Sequence, residues 1–287
     1  MKAIFKREFK SFFNGMLGYI FCAFILLFAG IFTMIINLKA LSARFEDVIA
    51  SMWLIFLIAV PILTMRTFAE ERKQKTDILL YSLPVSMAEV VLGKFLALIC
   101  VFLIPIAIIG IYPLILSVFG NVNLFASYGT LFSFFMLGAS LISMGMLVSS
   151  LTDNQVVAVV ASFVLVLLNY FIATLSDYVS HNATATFVAF AVIIIAITLL
   201  LDYLTKNSVF SLIIGALGIV LLTVFKMNSP ELLSGLFPKI MNTVSVFERF
   251  YIFPDGVFDI SALVYFVTVT VVFLFFTVQV LEKRRWN

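Results

Sequence analysis

Residues 16–36 read MLGYIFCAFILLFAGIFTMII, a run without one charged side chain. At the rise of an α-helix such a run covers about 30 Å, the thickness of a bilayer's hydrocarbon core. Comparable runs recur along the chain. Of its 287 residues, 63% are hydrophobic and 11% charged, with 33 Phe, and the mean hydropathy is +1.20; a soluble domain carries about a quarter charged residues. The composition therefore implies an integral membrane protein. Backbone polar groups cannot stay unpaired in hydrocarbon, so the spans must be helices or a closed barrel, and long unbroken runs select helices over the short alternating strands of a barrel. A basic start followed by an apolar run and "ALSA" imitates a secretory leader, but 16–36 is longer than a leader's core and is read as the first span.

Working outward from that run, candidate spans fall at 16–36, 49–68, 94–118, 129–150, 156–175, 184–203, 207–226 and 261–281. About eight crossings put both termini on one side, and thirteen of the eighteen Lys and Arg then fall on that side. This matches the excess of cations on cytoplasmic loops, so the expectation is a multi-pass protein of the cytoplasmic membrane with both termini cytoplasmic. The pair 184–203 and 207–226 is also compatible with a helical hairpin entering from one face; Asp202, Lys206 and Asn207 at its corner favour two crossings. No repeat and no Gly/Ser- or Pro-rich linker divides the chain, so one membrane domain, 1–287, is expected. Its non-spanning mass lies in 1–15, 66–93 and 227–260.

The first of these, MKAIFKREFKSFF, places Ile4, Phe5, Phe9, Phe12 and Phe13 on one helical arc and Lys6, Arg7 and Lys10 on another. Such a helix lies flat in the interface, its rings among acyl chains and its cations among anionic headgroups. It serves equally as a basic flank orienting the first span.

The second, RTFAEERKQKTDILLYSLPVS at 66–86, is longer than a connection needs. Thr76 or Asp77 can cap a short helix from Ile78 to Leu83 that Pro84 ends, and Ser86 can cap the next helix with Glu89 three positions on. A helical extension, a short transverse helix and a restart can transmit force as rigid pieces joined at capped hinges. The alternative is a solvated charged face.

In three blocks, AIFKREFKSFF, then RTFAEERKQKTDILLYSLPVSMAEVVLGKF at 66–95, then FDISALVYFVTVTVVFLFFTVQVLEKRRW at 258–286, the sequence resembles the membrane subunits of ATP-binding-cassette exporters of the type-2 permease class. The middle and last blocks resemble the gliding-motility permeases among them. The resemblance implies an all-α transmembrane permease domain with an N-terminal interfacial helix. It also implies that the loop after the second span docks into a cytosolic ATPase subunit that binds ATP and magnesium, while this chain holds no cofactor and is not an enzyme. Carried onto this sequence, Glu70, Glu71 and Arg72 would form a charged relay, and Thr76 with Asp77, Ile78, Leu79, Leu80 and Leu83 would form the docking helix. A second permease copy or a paralogue, and membrane lipid, are further implied partners; nucleic acid is not. Members commonly have six spans, so eight here is a departure between 184 and 226.

The third stretch, 227–260, is too apolar for a free loop and too interrupted to span. Ser229, Pro230 and Glu231 begin a short helix that Gly235 and Pro238 break, and Lys239–Phe250 can form another. In the family this segment is re-entrant or interfacial near an outer gate, which makes Phe247, Phe250 and Tyr251 gate candidates; aromatic anchoring at the membrane surface is the alternative. By the same resemblance the second and fifth spans of two protomers enclose the route, which makes Phe163, Asn169 and Phe171 route candidates. Small residues in GASLISMGMLVSS at 138–150 are read first as helix packing.

Several classes are disfavoured. GxxxxGK[ST] is absent from the sequence, so ATP hydrolysis must come from another chain. Every carboxylate falls in a loop or at a span end by this assignment, where an ion-coupled carrier or intramembrane enzyme would keep a titratable group at depth. Asp177 and His181 can share a helical face without a nucleophile beside them, and NAT at 182–184 is a weak three-residue match to a glycosylation site. A scaffold for an envelope or motility machine is the remaining alternative.

Overall fold

The computed structural model describes residues 1–76, 85–178, 182–205, 208–228 and 230–286, and the described residues are helical almost throughout. Contacts divide the chain into two compact units, one of residues 1–168 with 249–287 and the other of residues 169–248. Six helices among the described residues are long and apolar enough to cross a membrane: Leu17–Lys39, Trp53–Lys73, Met87–Phe119, Leu124–Leu151, Gln155–Ser176 and Ile260–Arg285. Ala183–Leu199 and Ser211–Met227 are apolar but shorter.

In the first unit, α1 (Lys2–Asn14) leads into α2 (Leu17–Thr33), which ends in a π-helical turn, Met34–Lys39. A short α3 (Glu46–Ser51) precedes α4 (Trp53–Thr64), which continues through a π-helical turn, Arg66–Glu70, to Lys73. Then come α5 (Met87–Ile109), α6 (Tyr112–Phe119), α7 (Leu124–Leu151) and α8 (Gln155–Tyr178), and the chain closes with α14 (Ile260–Trp286). The second span thus starts later than expected from the apolar run at 49–68, because the backbone breaks at Met52 and leaves α3 separate. Ser86 caps α5 as expected, its Oγ accepting from the Glu89 amide at 3.3 Å, and Asn123 caps α7 by accepting from the Ala126 amide at 3.2 Å.

α7 is the hub, packing on α3, α4, α5 and α14. Lipid tails are as apolar as Leu, so helices associate here by close packing, and small residues permit it. A Cβ on Gly138 would collide with the Phe102 ring, and one on Gly145 would sit 2.5 Å from Thr64 Oγ1. Ser140, Ser143, Ser149 and Ser150 are fully buried on the same helix, so 138–150 is a packing seam. Beside Gly138 the Phe56, Phe102 and Phe134 rings fill the core, with centroids 4.5 to 6.3 Å apart.

The second unit holds the end of α8, α9 (Ala183–Thr205), α10 (Ser208–Asn228), α11 (Pro230–Leu233), α12 (Leu236–Val244) and the start of α13 (Val246–Phe250). α9 and α10 pack as a hairpin, with Gly215 against Thr198 and Gly218 against Ile194. Pro230 opens α11 as expected, whereas Ser229 lies outside the described residues. Pro238 does not break the helix: it occupies the first turn of α12, where a missing amide hydrogen costs nothing. Gly235, left-handed at φ 74°, separates α11 from α12 as expected, and the helix expected over Lys239–Phe250 is divided at Ser245, whose extended backbone separates α12 from α13.

Candidate coupling site

The extension of α4 past Thr64 carries the charged residues singled out in the sequence, and its local geometry decides where each points. Within the π-helical turn the amides of Phe68 and Ala69 both donate to Ser149 Oγ, at 3.3 and 3.2 Å, which fixes the turn against α7. Beyond it Glu71 and Arg72, neighbours in sequence, engage opposite flanks.

On one flank Glu71 meets α1 and α5. Lys94 of α5 is 1% exposed, a placement tolerable only with full pairing. Its Nζ lies 2.8 Å from Glu71 Oε2 and 3.3 Å from Glu8 Oε1, and it donates to the Thr67 carbonyl at 2.6 Å. Two of these contacts, to Glu8 and Thr67, are hydrogen bonds, and Glu71 is held as an ion pair. The Phe68 ring lies 5.1 Å away. Arg7 Nη2 closes the group, 2.6 Å from Glu8 Oε1 and 2.7 Å from Glu71 Oε1. Two cations face two carboxylates, so this clasp of α1, the α4 extension and α5 is neutral as a whole. Burial pushes the Glu8 carboxyl up, but Lys94 and Arg7 outweigh it and hold it below its ordinary range. Burial likewise opposes the Arg7 charge, and Glu8 and Glu71 overcome it, raising Arg7.

On the other flank the buried Arg72 reaches the end of α7. Its Nη1 donates to the Ser150 carbonyl at 2.5 Å and lies 3.4 Å from Asp153 Oδ1. Arg284, near the end of α14, donates through Nη1 to the same Oδ1 at 2.8 Å and through Nη2 to the Leu151 carbonyl at 2.8 Å. Two guanidinium groups thus cap the open carbonyls of α7, where a helix favours positive charge. The Arg284 hydrogen bond, with the charges of Arg284 and Arg72, holds the Asp153 carboxyl below its usual range.

The extension stops at a defined corner. Lys75 adopts a left-handed backbone, φ 56°; its amide bonds the Arg72 carbonyl and the Thr76 amide bonds the Glu71 carbonyl, both at 2.9 Å. This pairing is a Schellman motif, usually completed by glycine. The Thr76 hydroxyl donates to the Glu71 carbonyl at 3.1 Å, so it serves the end of this helix. Glu70 pairs with Arg66 one turn back, apart from the clasp. A cleft of ≈ 330 Å³ lies between α1 and the extension, lined by Arg7, Glu8, Phe12, Arg66, Glu70 and Glu71 among others. Asp77, Ile78, Leu79, Leu80 and Leu83, expected to form the docking helix, lie outside the described residues, as does His181.

α1 is helical as expected and presents two stripes. Phe5, Phe9 and Phe13 line one edge, the first two stacked at 6.0 Å and the last two tilted at 5.1 Å, with Lys6 and Lys10 exposed. Ile4, Glu8 and Phe12 form the inward stripe, with Ile4 close to Gly93. Arg7, expected on the exposed basic arc, serves the clasp. Glu8, Lys94, Asp153 and Arg284 are not among the site residues expected from the sequence; the signal for Lys94 is a lone cation at the start of an apolar span.

The route and gate candidates divide between the two units. Phe163 and Phe171 are exposed on α8. Asn169 is engaged in the second unit, its Oδ1 accepting from the Val246 amide at 3.0 Å and its carbonyl from Ser245 Oγ at 3.2 Å. Phe247 is buried beside Tyr170 in the second unit. In the first unit Phe250 is buried against Phe134 and borders Tyr251, which is partly exposed.

Residues 3–183 match the family model described as ABC-2 family transporter protein. No curated protein and no solved structure matches the chain.

Proposed function

Because the chain belongs to the ABC-2 family of transporter proteins, we propose that it is the membrane-spanning permease subunit of an ATP-driven exporter whose hydrolysis is done by separate cytosolic ATPase chains. The observation that carries this reading is the Glu71–Lys94–Glu8–Arg7 clasp, which lies just before residues 77–84 in the chain. A force applied beyond Thr76 would enter two spans and α1 at once, because one neutral charge group ties α1, the α4 extension and α5 together. Arg72 carries the same displacement to α7 and α14 through Asp153. Rigid helices moving about the Lys75–Thr76 corner would then alternate the access of a route shared with a second permease copy or paralogue.

In this reading the loop and both termini face the cytoplasm, and α9 and α10, continuous helices of 23 and 21 residues, add a seventh and an eighth crossing. Docking falls to residues 76–83, and the partner supplies the ATP and magnesium sites. Phe163 and Phe171, exposed on α8, would face the route; Phe250 and Tyr251 would border its outer end.

Glu71→Gln tests the coupling. It keeps the side chain's size while removing the charge shared by Lys94 and Arg7. With the ATPase co-expressed, the variant should insert and bind its partner while losing most substrate-stimulated ATP turnover. Unchanged turnover would remove the clasp from the mechanism.

A further inference from the structure

At the ends of α4, α7 and α14 opposite the coupling site lies a second polar place in the first unit. A cleft of ≈ 400 Å³ opens between the segment before α3, the start of α7 and the segment before α14, lined by Arg44, Glu46, Asn121, Asn123 and Asp255 together with small residues and Pro254. Glu46 is the anomaly. It is 3% exposed, yet its carboxylate receives only the Ser127 hydroxyl, on Oε1 at 3.0 Å. Among the described residues no Lys or Arg pairs with it and no donor reaches Oε2. Arg44, the nearest cation in sequence, is turned to the Pro254 carbonyl at 3.2 Å and to Asp47 at 3.4 Å. Its backbone is held by Asn37, whose Nδ2 donates to the Ser42 and Arg44 carbonyls at 2.8 and 3.3 Å. One guanidinium therefore stands against the three carboxylates of Glu46, Asp47 and Asp255, and Glu46 Oε2, which takes no donor among the described residues and is not closed off from solvent, is left open to a further one.

We propose that this cleft binds a primary ammonium group, with Glu46 Oε2 as its counter-charge and the side-chain oxygens of Asn121, Asn123 and Asp255 as its further acceptors. An ammonium with three hydrogens suits a wall of carboxylate and amide oxygens. A quaternary ammonium is recognised instead by aromatic rings, and among the described residues no aromatic side chain lines the cleft. The volume suits a small amine or the head of an aminolipid, and the experiment separates the two. The inference rests on this cleft alone and is independent of the coupling reading.

The test uses the purified full chain in phosphatidylcholine nanodiscs. In one arm a minor fraction of phosphatidylethanolamine is added and the retained lipid is read by native mass spectrometry. In the other, free ethanolamine is titrated into discs of phosphatidylcholine alone and thermal unfolding is followed. Phosphatidylethanolamine retained over phosphatidylcholine on the order of tenfold, and lost in Glu46→Gln, identifies a lipid headgroup. Stabilisation by ethanolamine in wild type and not in Glu46→Gln identifies a free amine. Asp255→Asn, at an exposed position, gives a second reading that needs no buried substitution, with a few-fold loss expected. The proposal is overturned if wild type shows no preference in either arm, or if Glu46→Gln and Asp255→Asn both keep it.

Discussion

Replacing Lys94 with methionine removes the cation at the centre of the clasp while keeping a long apolar stem. Glu71 and Glu8 oxygens lie 2.8 and 3.3 Å from its Nζ. At an effective dielectric of about 20 these contacts are worth roughly 6 and 5 kcal/mol of direct attraction, most of it cancelled by the cost of desolvating the charges. Breaking one partner out of such a buried group costs about 3–5 kcal/mol. Lys94 is 1% exposed, so solvent screens little on its side; Glu8 and Glu71 keep 16% and 19% of their side-chain exposure, which favours the lower end. The substitution also leaves two carboxylates sharing Arg7 alone. Thermal unfolding in detergent, followed by tryptophan fluorescence, should therefore show Lys94→Met several degrees below wild type. The double variant Lys94→Met/Glu71→Gln, which restores one cation to one carboxylate, should recover part of the loss. A Lys94→Met protein as stable as wild type, or a double variant weaker than the single one, refutes the clasp.

Three further outcomes follow from the same geometry. Glu8 is held below its ordinary value near 4.5, so its contribution is present above that pH and is lost as pH falls through the lower folded value; Glu8→Gln should lose the acid sensitivity of unfolding below about pH 4.5 while being less stable at neutral pH. Gly145→Ala drives a methyl to 2.5 Å from Thr64 Oγ1, which should destabilise by about 1–3 kcal/mol, and Thr64→Ala in the same chain should recover most of it by clearing the space. Lys75→Gly relieves a left-handed backbone at the helix stop and should stabilise by about 1 kcal/mol, seen as a small rise in melting temperature with the clasp intact.

The sequence made the helical membrane class legible because apolar runs of span length admit no other spanning structure. It also showed the α7 seam, since glycine and serine at 138–150 have no purpose in lipid except close approach. The amphipathic start was visible from Phe5, Phe9 and Phe13, but nothing in the sequence singled out Glu8 among Lys6, Arg7 and Lys10; its inward direction depends on α5 lying beside it. Lys94 counted only toward the charge bias of the loops, although the cost of burying it called for an acidic partner. The Arg72–Asp153–Arg284 link was out of reach, because its members are 81 and 131 residues apart and meet only through the packing of α7 on α4 and α14. The π-helical turn at Arg66–Glu70, which changes the direction of every later side chain on the extension, has no sequence signature of its own.

The central claim is that the corner after the α4 extension is gripped by a cytosolic motor, and a sided cross-link at Thr76, which is exposed, tests it most directly. The chain with Cys22→Ser, Cys100→Ser and Thr76→Cys is expressed with its ATPase and probed in intact cells. The account expects no labelling by an impermeant maleimide from outside, and a cross-link to the ATPase from within that ATP modulates. Labelling from outside the intact cell, with no cross-link to the ATPase, contradicts it.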